Sequence, residues 1–324
     1  MKRTLVLALS AVLVAGLVAA GCAPAAPAPA PEAEARDFKI GIANFVLGAP
    51  YFVAMSDAAE EEAAFFENVE AFTTDGQGDA EKMTSDVEDL LAKGVDGVLI
   101  NAGPIEALPA ALAAIDEAGI PVVMVDRLLE GGEYTSWIGP DNYLIGVQDG
   151  QYIVDRLDGE GLLVNIRGGP ADNSIGLART NGMLSVVEQS NIEVASAPNF
   201  GDWSEDGGFT IMEDMLAMHD EIDVVFCEND SMCLGAQKAI EDAGRSDEMF
   251  LCGVDGQKEA LKAIMDGTNY ACTGKNDSDE IGRAGFHRLM AVLAGAVPEK
   301  DTVLPSPLIT IDNACQYYNP DSLF

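Results

Sequence analysis

The chain has 324 residues, of which 48% are hydrophobic, so it can bury a large core and has the length of about two domains. Its 54 Asp and Glu residues outnumber 18 Lys and Arg residues, which gives a formal charge of −36 at pH 7. Because nucleic acids bind to basic surfaces, this charge argues strongly against a DNA or RNA partner and disfavours polyanionic substrates.

The N-terminus has the pattern of an export signal. Two basic residues precede an apolar stretch, Leu5 to Val18, which is short for a membrane span and ends in small residues. The run Ala19-Ala20-Gly21-Cys22 resembles the lipobox of bacterial lipoproteins, in which the cysteine is lipidated and begins the mature chain. We therefore expect a lipoprotein signal peptide at residues 1–21 and lipid attachment at Cys22. An ordinary cleaved secretory signal is the alternative.

Residues 22–36 predict an extended tether, because they are rich in Pro and Ala and show no hydrophobic period. A tether that follows a lipidated cysteine holds a soluble domain near a membrane. The sequence thus predicts an extracytoplasmic protein, lipid-anchored to the cell membrane and facing the periplasm or the cell surface.

From Arg36 onward, stretches typical of strands alternate with stretches typical of helices. This alternation predicts parallel sheets that are covered by helices. One helix is expected to begin near Asp79 and to end at Gly94, and another to run from about Glu106 to Ala118. The expected strands are 38–45, 69–74, 97–101, 121–126, 162–167, 193–198, 223–227, 249–254 and 269–273.

Three breaks in the alternation favour two sheets over one sheet of nine strands. They lie at 137–142, near Asn276-Asp277 and at 305–307. Three crossings between two lobes would make a hinge. We expect an N-terminal lobe of residues 37–140 plus 277–305 and a C-terminal lobe of residues 141–276 plus 306–324.

Polar residues follow several of the predicted strands. Asp126 and Arg127 come directly after the apolar run Val122–Val125, and Asn229 and Asp255 also lie just past strand ends. In open α/β sheets, ligands bind beyond the carboxyl ends of the strands, so these positions favour recognition. The alternatives are a surface ion pair for the first two residues and a helix cap for Asn229.

Several short segments follow one another in a characteristic order. They are Phe38-Lys39-Ile40-Gly41-Ile42, Ala49-Pro50-Tyr51-Phe52, Val98-Leu99-Ile100-Asn101, Val123-Met124-Val125-Asp126-Arg127, Gly139-Pro140-Asp141-Asn142, residues 226–236 and Gly253-Val254-Asp255-Gly256. In this order they resemble the periplasmic sugar-binding proteins of ribose and galactose type, and the resemblance covers the chain from about Lys39 to Asp312.

The resemblance implies two Rossmann-like α/β lobes, joined by a three-segment hinge, that close on a sugar. In that family, aromatic residues stack on the apolar C–H face of the sugar, and amides, carboxylates and arginines bind its hydroxyl groups. Carried over position by position, the implied ligand-binding residues here are Tyr51, Phe52, Asn101, Asp126, Arg127, Arg179, Trp203, Asn229, Asp255 and Asn276.

The sequence gives little support to an enzyme. It contains no phosphate-binding loop or dinucleotide fingerprint, and Ser174 lacks the glycine that precedes a nucleophile elbow. Asp126 and Asp255 could in principle cleave a glycoside, but carboxylates serve equally well as acceptors for hydroxyl groups. The cysteines after Cys22 form no C-x-x-C pair near a histidine, so we expect no metal and no cofactor.

The expected function is therefore to capture a monosaccharide or related polyol and deliver it to an ABC importer. The partners implied by the resemblance are the permease and transport ATPase of that importer, with the protein acting as a monomer and held to the membrane by its lipid anchor. Two alternatives stay open: a nucleoside or furanosyl signal as the ligand, or presentation of the ligand to a membrane receptor.

Overall fold

The computed structural model describes residues 36–103, 105–170 and 174–324. Within these residues the strands are β1 (Phe38–Asn44), β2 (Val69–Asp75), β3 (Gly97–Asn101), β4 (Val122–Val125), β5 (Ser136–Pro140), β6 (Glu160–Arg167), β7 (Asn191–Phe200), β8 (Val224–Cys227), β9 (Phe250–Asp255), β10 (Tyr270–Lys275), β11 (Asp301–Leu304) and β12 (Leu308–Thr310).

The α-helices of the same residues alternate with the strands over most of the chain. They are α1 (Pro50–Ala64), α2 (Ala80–Ala92), α3 (Pro109–Ala118), α4 (Asn142–Arg156), α5 (Gly176–Val187), α6 (Glu205–Met218), α7 (Asp230–Asp242), α8 (Lys258–Met265) and α9 (Ser278–Leu293). None of these helices is long and apolar enough to cross a membrane.

The strands form two six-stranded sheets. The first has the order β11-β5-β4-β3-β1-β2 and is parallel throughout, and the second has the order β12-β10-β9-β8-β6-β7. The predicted class, two α/β lobes with a three-segment hinge, is confirmed. The expectation of purely parallel sheets needs one correction, because the edge strand β12 runs antiparallel to β10.

Three strands were not predicted, and all of them lie at the breaks between the lobes. The segment 137–142 was expected only to interrupt the alternation, yet it begins within β5, and β11 and β12 flank the proline-containing break at 305–307. Strands β4 and β8 are equally short, but they are fully buried apolar runs. By contrast, β11 and β12 are only partly buried and β5 contains glycine and proline, so none of the three shows such a run.

Helix α3 begins at Pro109, not near Glu106 as predicted. Proline fits the first turn of a helix because its missing N–H would have no partner there, so Pro109 marks the start. The correction matters because Glu106 is left in the preceding loop, where its carboxylate binds an arginine.

Each sheet is covered on both faces, which explains why its central strands read as continuous apolar runs. In β3, Val98 and Ile100 pack toward α2 and α3, whereas Leu99 packs on the opposite face with residues of α1 and α9. A fully buried side chain of this size contributes about 1.5–3 kcal/mol by leaving water. The second sheet is likewise packed between two clusters of buried residues.

The chain passes between the sheets three times. The crossings lie between β5 and α4, between β10 and α9, and between β11 and β12. After the second crossing, α9 packs on α1 and on the first sheet, although it follows a strand of the second sheet. Both sheets are therefore assembled from segments that are distant in the sequence.

Glycines allow α4 and α5 to pack backbone against backbone. A Cβ at Gly146 would lie 2.0 Å from the carbonyl oxygen of Arg179, and a Cβ at Gly182 would lie 2.1 Å from that of Tyr143. Both distances are far below a van der Waals contact. Since Arg179 lies on α5 at this contact, the approach of the two helices also sets the position of its side chain.

The Gly146→Ala variant should lose stability, because the added methyl group overlaps the backbone of α5. We expect the free energy of unfolding to fall by about 1–3 kcal/mol, although alanine favours an isolated helix over glycine by about 1 kcal/mol. Urea denaturation measures the change. The control is Gln151→Ala, at an exposed position of the same helix, and equal stability of the two variants would contradict the tight contact.

Candidate functional site

A cavity of about 520 Å³ lies where the carboxyl ends of the two sheets face each other. Residues from both sheets line it, as do the start of α1 and the loop before α6. Nine of the ten residues that the sequence indicated are on its wall: Tyr51, Phe52, Asp126, Arg127, Arg179, Trp203, Asn229, Asp255 and Asn276.

On the side of the first sheet, Asp126 follows β4 and accepts a hydrogen bond of 3.0 Å from the hydroxyl of Tyr51. Its backbone has φ = +62°, a left-handed conformation that costs a non-glycine residue on the order of 1–3 kcal/mol. The carbonyl oxygen of Asp126 accepts from Trp137 Nε1 at 3.1 Å, which holds this conformation. Burial, followed by the charge of Asp126, raises the pKa of Tyr51 well above its usual value, so Tyr51 remains a hydrogen-bond donor.

Arg127 is 3% exposed and connects the two lobes. Its Nε donates to the carbonyl oxygen of Gly103 at 2.5 Å, and its Nη1 donates to Glu106 Oε1 at 2.6 Å. The same Nη1 lies 2.7 Å from the hydroxyl of Ser174, which precedes α5. Arg127 therefore carries a compensated charge at the edge of the cavity.

On the side of the second sheet, the central pair is Arg179 with Asp255, joined by a contact of 3.0 Å between Nη2 and Oδ1. Arg179 Nε also donates to Asn142 Oδ1 at 2.9 Å, and Nη1 donates to the carbonyl oxygen of Glu228 at 2.6 Å. Asn276 Nδ2 donates to Asp255 Oδ1 at 3.0 Å. One carboxylate thus receives donors from α5 and from the loop after β10.

Burial and the charge of Arg179 shift the pKa of Asp255 in opposite directions. Burial raises the pKa of its carboxyl group to about 7, while the Arg179 guanidinium opposes that rise. Its backbone has φ = +127°, so Asp126, which follows β4, and Asp255, the last residue of β9, both adopt conformations unusual for non-glycine residues. Such strain is typical of functional positions, where the surrounding structure determines the backbone.

Aromatic rings reach the cavity from both sides. Tyr51 and Phe52 lie edge to face, with centroids 5.4 Å apart, at the start of α1. Trp203 comes from the loop before α6, also with a left-handed backbone, φ = +58°. Gly168 leaves room for its indole, since a Cβ there would lie 2.2 Å from Trp203 Cε2.

Asn229 is both a helix cap and a residue of the cavity wall, the two roles that the sequence had left open. It is the N-cap of α7, where its Oδ1 accepts from the Met232 N–H at 3.0 Å, and it also lines the cavity. Its Nδ2 donates to the carbonyl oxygen of Trp203 at 3.2 Å, so Asn229 supports the loop that carries the indole.

Asn101 is the one indicated residue that the structure does not bring to the cavity wall. It is buried behind the wall, where its Nδ2 donates to Asn44 Oδ1 at 3.2 Å and its Oδ1 accepts from the Gly103 N–H at 3.4 Å. Gly103 lines the cavity, and its carbonyl oxygen accepts from Arg127. In this conformation Asn101 therefore has a structural role, because it holds a residue of the wall.

Some of the residues around the cavity were not indicated by the sequence. Gln257 and Ser231 line it next to Asp255 and Asn229. Both lie close to strand ends in the sequence, and that position could have indicated them as wall residues. Phe324 also lines it, yet no pattern in residues 319–324 pointed there. Glu106 and Glu228 hold the two arginines, and only the folded chain reveals those pairings.

Chemically, the wall combines planar aromatic faces with carboxylates, amides and guanidinium groups. Such a set suits a small polyhydroxylated molecule, whose hydroxyl groups both donate and accept and whose C–H groups form flat apolar patches. Among the described residues, no group of three or more His, Cys, Asp or Glu side chains could hold a metal ion.

The two sheets and the cavity between them define a binding protein of the two-lobed, periplasmic type. Residues 40–296 match the family described as the periplasmic binding protein domain, and the chain belongs to that family. This confirms the family predicted from the sequence, which is one of binding proteins and not of enzymes.

The relatives of this chain include ribose import binding proteins. That of Bacillus subtilis (strain 168) is 32% identical over 275 residues, which cover 85% of this chain and 88% of that protein. That of Escherichia coli (strain K12) is 34% identical over 265 residues, 82% of this chain and 87% of that protein. A solute-binding protein of an ABC transporter from Mycobacterium smegmatis, solved with bound glycerol, has a TM-score of 0.81 at 32% identity and covers 88% of this chain and 98% of that chain.

Replacing Arg179 with Met should make the stability of the protein more sensitive to pH. Without the guanidinium, the pKa of Asp255 should rise further above its unfolded value. A raised folded-state pKa gives stability that is present below the unfolded pKa of about 4 and is lost as pH rises through the folded pKa. The deficit relative to the unmodified protein should therefore be larger at about pH 8.5 than at about pH 5.5, on the order of 3 kcal/mol at the higher pH.

Urea denaturation at both pH values measures this deficit. The matched control compares the double variant Arg179→Met/Asp255→Asn with Asp255→Asn: both lack the titrating carboxyl group, so the difference between their stabilities should not depend on pH. A deficit of Arg179→Met alone that is equal at both pH values would show that Arg179 does not stabilise the charge of Asp255.

Proposed function

We propose that this protein is an extracytoplasmic solute-binding protein that captures a monosaccharide or related polyol and delivers it to an ABC importer. One observation carries the proposal: nine residues chosen from strand ends and sequence resemblance line a single cavity between the two sheets. Their chemistry fits a ligand rich in hydroxyl groups.

The polar groups of the wall could hold such a ligand firmly. A hydrogen bond to a charged group contributes about 1.5–3 kcal/mol, and micromolar binding requires about −8 kcal/mol in total. Asn276 Oδ1 is buried on this wall with no hydrogen-bond partner in the described structure, which suits an acceptor for a ligand hydroxyl. Tyr51, Phe52 and Trp203 would cover the apolar C–H face.

The relatives support this class of ligand. Two of them are named for ribose import, and the solved relative contains glycerol. In this chain the loop 45–49 has only apolar side chains and glycine, so it offers the ligand no side-chain hydrogen bond. Recognition of hydroxyl groups would then fall to the aspartates, arginines and asparagines of the wall.

Delivery requires that a transporter distinguish the loaded protein from the empty one. We assign residues 37–140 plus 277–305 to an N-terminal lobe and residues 141–276 plus 306–324 to a C-terminal lobe. Closure of the lobes around the ligand would align surfaces of both for the permease, with the transport ATPase supplying the energy. We expect the protein to act as a monomer, because one chain supplies both walls of the cavity.

A thermal-shift screen of residues 36–324 tests the ligand class. We expect a rise in melting temperature with one or a few of the following: pentoses, hexoses, xylitol, glycerol and myo-inositol. A ligand at a hundredfold excess over its dissociation constant stabilises the folded state by about 2.7 kcal/mol. A shift only with nucleosides or amino acids would contradict the proposed ligand. A separate observation tests the role of the protein: genes for a sensor kinase beside its own gene would favour signalling over transport.

Asp255→Asn should weaken the binding of the ligand found in that screen at least tenfold, about 1.4 kcal/mol. The amide keeps the shape of the side chain but cannot give hydroxyl groups a charged acceptor. Isothermal titration calorimetry measures the affinity. The control, Asp242→Asn, changes an exposed carboxylate of α7 and should bind normally. Equal affinities of the two variants would remove Asp255 from the binding site.

We also propose that Cys22 carries the lipid anchor; it lies outside the described residues, together with the signal peptide at 1–21 and most of the tether. In cells that express the full chain, Cys22→Ser should move the protein from the membrane fraction to the soluble fraction. Cys315→Ser, at an exposed cysteine of the folded part, is the control and should leave it in the membrane fraction. If the unmodified protein is already in the soluble fraction, the lipid anchor is wrong and the ordinary secretory signal is favoured.

A further inference from the structure

Residues 319–324, here called the strap, pass from the second sheet toward the first. They follow a short 3-10 turn at Ala314–Gln316 that packs on α8, a helix of the second sheet. From there the strap reaches α9 and α1, which belong to the first sheet. It therefore bridges the two proposed lobes beside the cavity, and the three crossings of the hinge are not involved.

Contacts at Ser322 hold the strap to both lobes. Lys258 Nζ, on α8, donates to the carbonyl oxygen of Ser322 at 2.5 Å. Ser322 Oγ lies 3.3 Å from Asp279 Oδ2, at the start of α9. The same hydroxyl lies 2.8 Å from the backbone oxygen of Phe324, which turns the end of the strap inward.

This turn places Phe324 in the wall of the ligand cavity. Its side chain is 8% exposed, and its ring packs edge to face on Tyr51 with centroids 5.2 Å apart. On its other side lies a second cavity of about 510 Å³, lined by charged residues that include Lys258, Asp279 and Arg283. Phe324 and Asp255 line both cavities, so together they form part of the partition between them.

We propose that Phe324 contacts the ligand and determines specificity, an inference that rests on the proposed function. Its ring extends the aromatic surface of Tyr51 and Phe52, and it separates the ligand from the charged second cavity. A ligand with a broad C–H face, such as a cyclic sugar, gains from a flat aromatic wall. A flexible acyclic polyol gains less, so Phe324 should favour ring-shaped ligands over open-chain ones.

The test is the affinity of Phe324→Ala for D-ribose, myo-inositol, xylitol and glycerol, measured by isothermal titration calorimetry. We expect at least a tenfold loss for the ring-shaped ligand that the unmodified protein binds best. The loss for the open-chain polyols should be at least threefold smaller. Leu323→Ala is the matched control: it truncates the neighbouring side chain, which is 58% exposed, and should change every affinity by less than twofold.

Two further variants separate a contact with the ligand from a purely structural role. Phe324→Leu keeps most of the apolar volume but loses the flat face, so it should show the same change in preference. Ser322→Ala loosens the strap that holds Phe324, so it should show the same change in preference to a smaller degree. If Phe324→Ala weakens all four equally, or changes none by more than twofold, Phe324 does not determine specificity.

The outcomes also separate this inference from the proposed function. If the unmodified protein binds one of the four compounds and Phe324→Ala binds all of them as before, only the role of Phe324 is wrong. If the unmodified protein binds no sugar or polyol, the proposed function fails and the inference fails with it. Circular dichroism of each variant confirms that the lost binding does not reflect a lost fold.

Discussion

The buried guanidinium of Arg179 is the interaction on which the site depends most. Placing a charge in a buried position costs several kcal/mol unless hydrogen bonds and an opposite charge compensate it. Arg179 obtains that compensation from Asn142 at the start of α4, from the carbonyl oxygen of Glu228 after β8 and from Asp255 at the end of β9. A single side chain therefore ties together two helices and two strand ends. The glycine contact between α4 and α5 is part of the same arrangement, because it brings α5 close enough for Arg179 to reach all three partners.

The two halves of the cavity compensate the charge of a buried arginine in different ways. Each has an aspartate at the carboxyl end of a central strand, at a positive φ, and each has a buried arginine. In the first half, Arg127 is neutralised by Glu106, which leaves Asp126 to the hydroxyl of Tyr51. In the second half the arginine pairs with the aspartate itself. The carboxylates thus differ in what remains available to a ligand: Asp126 accepts from a neutral donor, whereas Asp255 already shares a charge.

The sequence predicted the parts of the structure that follow from local pattern. The nine predicted strands are present. Those buried on both faces, such as β3, β4 and β8, are continuous apolar runs, and the polar residues at the ends of such runs could be placed at one edge of the sheet. Segments whose position depends on distant parts of the chain could not be found this way. Strands β11 and β12 join sheets whose other members lie far away in the sequence, and Phe324 reaches the cavity only because the strap docks on helices of both lobes.

The hydrogen-bond partners of polar side chains were predicted less well than the places of these residues in the fold. Asn101 lies at the end of a strand, as Asp126 and Asp255 do. Its amide nevertheless bonds to Asn44 and Gly103, so a position at a strand end is not sufficient. Asn229 shows the reverse case, since a residue that caps a helix can also lie on the cavity wall. The partners of a polar side chain depend on distances of a few tenths of an ångström, which composition and periodicity do not contain.

Asn276 occupies a special place among the residues of the wall. It lies in the segment between β10 and α9, one of the three connections between the lobes, and its backbone N–H donates to the carbonyl oxygen of Asp255 at 2.9 Å. Any rotation of one lobe against the other must change the backbone angles of this segment. Under the proposed function, a residue that contacts the ligand is therefore also part of the hinge. Ligand detection and lobe closure would then need no relay through the core, because one short peptide segment takes part in both.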